Sequence, residues 1–384
     1  MGPAMSTEPR PGEENLSEAQ RAALAHVREI ASRARDAARE QIAAALGRAR
    51  APGEMTALIA GVAATGRVTL NFHPDRMIEG GRTVAAAMFE DGRYRNQFET
   101  RISNGSRTAY PGGNRDRWEE RLFGGAYHAP GVRDHERPKY GALDLLSHAD
   151  GAAPRFGSCF LRLRAKVSAR STFCFGDSHL GPSAIGTLDV FEPVLAALLA
   201  ATASEGIALG RASMDLPSLT RLLLAPPAAP SADLAAHGRA LDDYIEAQVH
   251  GDVLLARDAE LLVADPSFRG TETESDLRAI SARYRVPLAF HAGFELGFDE
   301  VPADFRGPAI PPLAQRLGRE LAGAGARLDA ALVGRGAASL HREPERWQDG
   351  DTPDETLQHL KQLWHVLVRF GRPASAPPEP EKAR

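Results

Sequence analysis

Cysteine is nearly absent: Cys159 and Cys174 are the two in 384 residues. They exclude a disulfide framework and a cysteine-rich zinc site. No apolar run approaches the ~20 residues that a membrane helix needs, so no membrane partner is expected. The start, MGPAMSTEPRPGEEN, is polar and lacks an apolar signal-peptide core. Synthesis in the cytoplasm is the expectation. Secretion without a cleaved signal leaves no such mark and stays open. Lysine is scarce as well, at Lys139, Lys166, Lys361 and Lys382, so the basic charge is carried by arginine. GC-rich coding gives such a bias, and so does bidentate anion recognition, which only position can support. Strong net charge is missing: −4, with a pI near 6.3. That excludes a whole-chain electrostatic footprint for nucleic acid, and no nucleic-acid partner is expected. There is no Gly-x-Ser-x-Gly elbow, no phosphate-binding loop ending in Gly-Lys-Ser/Thr and no Gly-x-Gly-x-x-Gly after a strand. Kinase, P-loop and simple Rossmann readings lose their main support.

What is present suits a globular protein: 43% hydrophobic and 25% charged residues, enough for one large domain or two ordinary ones. Residues 1–15 read as a disordered lead. Residues 16–65 form a helical preface. Ser17 and Gln20 have capping-box spacing, and Leu24, Val27, Ala31, Ala34, Ala38 and Ile42 follow at helical period towards Gly47. A second helix is expected over 54–64. Val68–Phe72 is a buried strand stopped by Pro74. Residues 91–140 carry little periodicity, and a stretch that long without regular structure is expected to build a site. Strands are expected at 158–167, 172–175, 248–255, 260–264 and 287–291. Helices are expected at 190–203, 216–224, 232–243 and 275–284. Thr352, Pro353 and Glu355 open a last helix, whose face of Leu357, Leu360, Trp364, Leu367 and Val368 packs on the core. Residues 373–384 read as a disordered tail.

Four blocks set unusual polar residues beside strands: 71–76 (NFHPDR), 96–101 (NQFETR), 170–179 (RSTFCFGDSH) and 244–251 (YIEAQVHG). His73 and Arg76 follow an apolar strand, where polar clusters face crevices. Arg76 could fork onto a phosphate and His73 could bond a ribose hydroxyl; alternatively Asp75 and Arg76 cap one another. Period two puts Glu246, Gln248 and His250 on one face of a strand. Such a face on a central strand is paired or functional, unless the strand is a solvated edge. A carboxylate there suits a developing cation, or a hydroxyl nucleophile in need of activation. Ser171 and Thr172 orient a ligand or satisfy local backbone. A metallohydrolase built from His73, Asp75, Asp177 and His179, with His250 and His291 near by, is the alternative, although Arg76 beside the first pair repels a cation.

The strings FHPDR, NQFET, ISNG, GGNRD, RPKYGAL, RFGSC, RSTFCFGDSH, EAQVHG and DPSFRGT, across roughly residues 66–310, resemble an uncharacterised bacterial family. That family includes effectors that ADP-ribosylate a threonine of ubiquitin. The resemblance implies an α+β, ADP-ribosyltransferase-like fold with a split β-sheet clasping NAD. It places the catalytic domain at 66–310 and C-terminal helices at 311–372. It implies Glu246 as the catalytic glutamate; a hydroxyl acceptor also needs help losing its proton, a role that His250 or Asp177 could fill. The NAD-binding set it implies is His73, Arg76, Asn104, Tyr140, Ser171, Thr172 and Gln248. Phe173 stands where the superfamily's supporting strand ends in a hydroxyl. Tyr244 stands where it has Gln or Glu two residues before the glutamate. The expected activity is transfer of ADP-ribose from NAD to a protein, with release of nicotinamide and ubiquitin as the expected partner. The expected setting is a bacterial effector, made in the bacterial cytoplasm and delivered to a host cell. A plain NAD glycohydrolase is the alternative within the same chemistry.

Overall fold

A computed structural model describes residues 13–101, 109–225, 239, 241–347 and 351–374. Expectations for the lead up to residue 12, for Asn104, for most of the helix at 232–243, and for the tail from 375 lie outside the described residues. Along the chain run α1 (Glu18–Ala49), α2 (Met55–Thr65), β1 (Arg67–Phe72), α3 (Val84–Asp91), β2 (Arg93–Tyr94), α4 (Gln97–Thr100) and α5 (Asn114–Phe123). Next come β3 (Lys139–Asp144), β4 (Cys159–Leu163), α6 (Ala165–Ser168), β5 (Ser171–Phe175), β6 (Ile185–Thr187) and α7 (Glu192–Glu205). Then follow β7 (Ile207–Ala208), β8 (Arg211–Ala212), α8 (Leu216–Leu224), β9 (Ile245–Val249), β10 (Val253–Leu254), α9 (Leu255–Asp258) and β11 (Ala259–Ala264). The chain finishes with α10 (Glu272–Tyr284), β12 (Leu288–Phe290), α11 (Ile310–Leu321), α12 (Ala330–Arg342) and α13 (Pro353–Phe370). The class is α+β. No helix among the described residues is long and apolar enough to cross a membrane.

The capping box at Ser17 is present: Gln20 N donates to Ser17 Oγ at 3.4 Å, and Ser17 N to Gln20 Oε1 at 2.9 Å. The apolar stripe of α1 packs on α7 and the β6 edge of the sheet. Thr352 and Glu355 cap α13 in the same way. Trp364 is fully buried and donates its Nε1–H to Pro154 O at 2.8 Å.

Eight strands join in the order β12-β11-β4-β1-β3-β9-β5-β6. All neighbours are antiparallel except β11 and β12. The sequence expectation overran two strands. The one at 158–167 ends at Leu163 and turns into α6, and the one at 248–255 lies at Ile245–Val249 with β10 after a break. Residues 241 and 242 are bends and 243 is irregular, so none of the three is helix. The stretch at 91–140 is not irregular either, because it holds α4, α5 and the start of β3.

The register contains a fork. β1 pairs with β3 only over Arg67–Thr69 against Ala142–Asp144. Beyond it, Leu70–Phe72 keeps only β4, while Lys139–Gly141 keeps only β9. One continuous sheet therefore splays between β1 and β3. Gly141 sits at the fork. A Cβ there would lie 2.3 Å from Thr69 O and 2.6 Å from Leu70 Cδ2. A backbone oxygen in a ladder cannot step aside. Gly141→Ala is expected to cost about 1–3 kcal/mol as an overpacking change, read as a lower denaturant midpoint.

Candidate functional site

The fork is the floor of a cleft. Asn71, Phe72, His73 and Arg76 line one lip, and Tyr140, Gly141, Glu246 and Asp177 the other. Arg115 from α5, Asn96 and Gln97 from the start of α4, Arg155 and Lys361 from α13 complete the polar lining. Ile78, Val84, Met88, Tyr94 and Phe156 supply apolar wall. The space between the lips, counting the open mouth, is about 1330 Å³.

Glu246 is buried at the base of the cleft. Its Oε1 accepts from Gln248 Nε2 at 2.8 Å and its Oε2 from Ser178 N at 3.3 Å. Gln248 Oε1 accepts from Thr172 Oγ1 at 2.7 Å. Thr172 Oγ1 lies 3.2 Å from His250 Nε2, and His250 Nδ1 lies 2.5 Å from the Tyr127 hydroxyl. A hydroxyl has one proton, and the one on Thr172 goes to Gln248. His250 Nε2 must then carry the proton that Thr172 accepts, and Nδ1 must accept from Tyr127. Every donor in this chain points towards Glu246. The residues are neighbours because Thr172 and Gln248 face each other across β5 and β9, as do Cys174 and Glu246.

Burial pushes the Glu246 carboxyl up to about 7, and the Asp177 charge adds to it against the pull of Arg115. Burial acts on Asp177 too, but its bonds to His179 prevail and hold it below the usual carboxylate range. His179 Nδ1 lies 2.7 Å from Asp177 Oδ1. The environment thus separates two adjacent carboxyls into an ionised one and one that titrates near neutrality. On the Tyr140 lip the Arg115 guanidinium lies 4.3 Å from the Tyr140 ring centroid, and the Tyr140 hydroxyl donates to Glu119 Oε1 at 3.1 Å. On the β1 lip burial, helped by the Arg76 charge, lowers His73 to about 3, so the imidazole is neutral. Its Nδ1 is 3.3 Å from Ser158 Oγ. Arg76 makes no side-chain hydrogen bond or ion pair among the described residues. Asp75 does not pair with it, so mutual capping is not what holds this turn. Asp75 instead packs against Gly334 in α12.

Glu246, Asp177, His73, Arg76 and Tyr140 therefore meet in one cleft. Gln248 and Thr172 stand behind Glu246 and do not line it. His250 is fully buried, edge-on to Phe123 at 5.3 Å and parallel to the Tyr127 ring, with its pKa depressed to about 3 by burial. It does not line the cleft. Ser171 is buried and donates to Val167 O at 2.9 Å, on the opposite side of β5 from Thr172. It is not a ligand group. Asn104 lies outside the described residues. No group of three or more His, Cys, Asp or Glu placed to hold a metal occurs among the described residues, so His73, Asp75, Asp177 and His179 do not converge.

Sequence reasoning missed Arg115, Arg155 and Lys361. Lys361 carried a faint signal, being one of four lysines and set in a largely apolar helix. Comparison with curated proteins gives no match. A family described as protein of unknown function, DUF3626, matches residues 67–370. That span begins with β1 and ends with the last residue of α13, so it takes in both lips of the cleft and the helix that bears Lys361. The chain belongs to the DUF3626 family.

Proposed function

We propose that the protein is a mono-ADP-ribosyltransferase that moves ADP-ribose from NAD to a hydroxyl side chain of a protein, with a threonine of ubiquitin as the expected acceptor, and releases nicotinamide. The forked sheet carries this reading. It sets a carboxylate, Glu246, on one lip and an unpaired guanidinium, Arg76, with a neutral imidazole, His73, on the other. The donor set fits a dinucleotide: unpaired cations for the diphosphate, aromatic and apolar wall for the rings, and space for an extended ligand.

NAD supplies a ribosyl C–N bond to a cationic pyridinium; that bond breaks with its electron pair going to the departing, neutral nicotinamide. Glu246 opposes the positive charge that develops at the ribose. The acceptor oxygen forms the new C–O bond and loses its proton. Asp177 lines the cleft and is held ionised by its bonds to His179, so it stands where that proton can go. None of these steps requires a metal, and activity is expected to survive exhaustive chelation.

The test is incubation with labelled NAD and ubiquitin, followed by mass spectrometry of the protein. Label on a hydroxyl residue is the expected outcome. Nicotinamide release without labelled protein leaves the glycohydrolase reading. Neither product removes both. The pH dependence adds a second check. The active form of Glu246 is the ionised one, so the rate is expected to rise with pH through about 7. Asp177→Asn removes the neighbouring charge that holds Glu246 up, so the midpoint is expected to move to lower pH. A midpoint that stays put in this variant separates the profile from Glu246.

A further inference from the structure

Helix α13 brings two basic side chains to the β1 lip. Lys361 and His365 lie one turn apart, on the same side of the helix. Trp364 between them pins the helix in place through its bond to Pro154 O and its edge-on contact with His73, 5.2 Å between ring centres. Lys361 lines the cleft and, like Arg76, makes no hydrogen bond or ion pair among the described residues. His365 is 3% exposed, and neither of its ring nitrogens has a partner. A buried polar group left unpaired is costly, and His365 is one; Lys361 and Arg76, both half-buried, lack partners beside it among the described residues, and the three together mark a site completed by something else.

The surrounding charges bear this out. Arg155 is paired with Asp242 and stacks 4.8 Å from the Phe156 ring. Arg306 reaches Asp242 at 3.8 Å. Asp75 lies beside Arg76, and Asp177 acts on Lys361 from across the cleft. Among the described residues no carboxylate stands within 4 Å of Arg76 or Lys361. Burial, with Arg155 and Arg306 adding repulsion, lowers Lys361 to about 8 and His365 to about 2. A polyanion here would relieve that repulsion and give His365 an acceptor.

We propose that Arg76, Lys361 and His365 form a diphosphate seat, which binds the two phosphates of a nucleoside diphosphate ester and makes α13 part of the ligand site. Calling that ester NAD rests on the transferase reading; the seat itself rests on the three unpaired side chains. Two cations with no carboxylate within 4 Å among the described residues match a diphosphate better than a single carboxylate, and the Arg76 fork allows a bidentate contact.

Calorimetric titration of the full chain with ADP-ribose, inorganic pyrophosphate, AMP and sulfate tests this. ADP-ribose and pyrophosphate are expected to bind, with AMP and sulfate at least about 10-fold weaker. Lys361→Met keeps the stem and removes the charge, and is expected to weaken both ligands about 10-fold or more, with Lys361→Arg recovering most of it. His365→Phe is expected to weaken them less. Melting temperatures near wild type, or an equivalent result with Lys361→Gln, separate lost binding from lost fold. Unchanged affinity in Lys361→Met overturns the proposal, as does wild-type protein that binds neither ligand or binds sulfate equally well. Tight ADP-ribose binding that depends on Lys361, without NAD turnover, sustains the seat and sinks the transferase. Turnover of NAD that ignores Lys361 does the reverse.

Discussion

Glu246→Gln is expected to lower the rate of nicotinamide release from NAD by about 10²–10³-fold and to leave the fold intact. The side chain keeps its shape and loses its charge. Its two oxygens accept from Gln248 and from the Ser178 amide, and the chain from Tyr127 through His250 and Thr172 ends on the first of them. Four donors in series leave no alternative sink for that direction except the Glu246 carboxylate. A Gln side chain can accept only through its one oxygen, so part of this order is lost with the charge. The fold tolerates the change because the ionised carboxyl is itself a burden. Its folded pKa is raised, from an ordinary 4.5 to about 7. A raised carboxyl pKa means stability that is lost as pH rises through that window. The melting temperature of Glu246→Gln is therefore expected to gain on wild type between about pH 5 and pH 8. Near-wild-type turnover would remove Glu246 from the reaction, whatever the thermal curves do.

Much of the site was legible because its elements obey local rules. Thr69 to Phe72 alternate between neighbours inside a sheet, and Pro74 stops the strand, so His73 and Arg76 had to emerge at its end. Glu246, Gln248 and His250 do share a face, as period two requires. Their depths differ because β9 ends at Val249. His250 then drops under Phe123 and Tyr127, contacts that come from a part of the chain with no periodicity of its own. β3 was illegible for a related reason. Its leading residues are Lys139, Tyr140 and Gly141, and only its tail, Ala142-Leu143-Asp144, has an apolar pair. Lys139 is fully buried, which sequence cannot anticipate; its Nζ donates to His135 O at 3.0 Å. The fork itself depends on where two registers end, and no composition or spacing encodes that. Lys361 reaches the cleft through the packing of α13 beside the β1 lip, where Trp364 meets Pro154 O and His73. A domain boundary near residue 310 would have left it out.

Arg76→Ala is expected to weaken NAD binding by about 10- to 100-fold, with little or no loss of stability in the free protein. The two halves of that expectation have one cause. Arg76 is folded into a partly buried turn, where its backbone N–H reaches His73 O at 3.4 Å, yet its guanidinium has no bond of its own. Burial lowers its pKa, and the nearby Asp75 only partly offsets this. Asp75 is a weak counter-ion, since burial lifts its own carboxyl to about 7 and Asp265 adds to that. An arginine held for structure loses stability when it is cut away, because its partners are left unpaired. An arginine held for a ligand is a strain on the free protein and a gain only in the complex, the usual trade at functional sites. Calorimetry with NAD and thermal denaturation without it measure the two halves separately. A destabilised apo variant with unchanged NAD affinity would assign Arg76 to the fold. Weakened binding with an unchanged or higher melting temperature assigns it to the nucleotide. Lys at this position is expected to recover only part of the affinity, because a point charge replaces one arm of a fork.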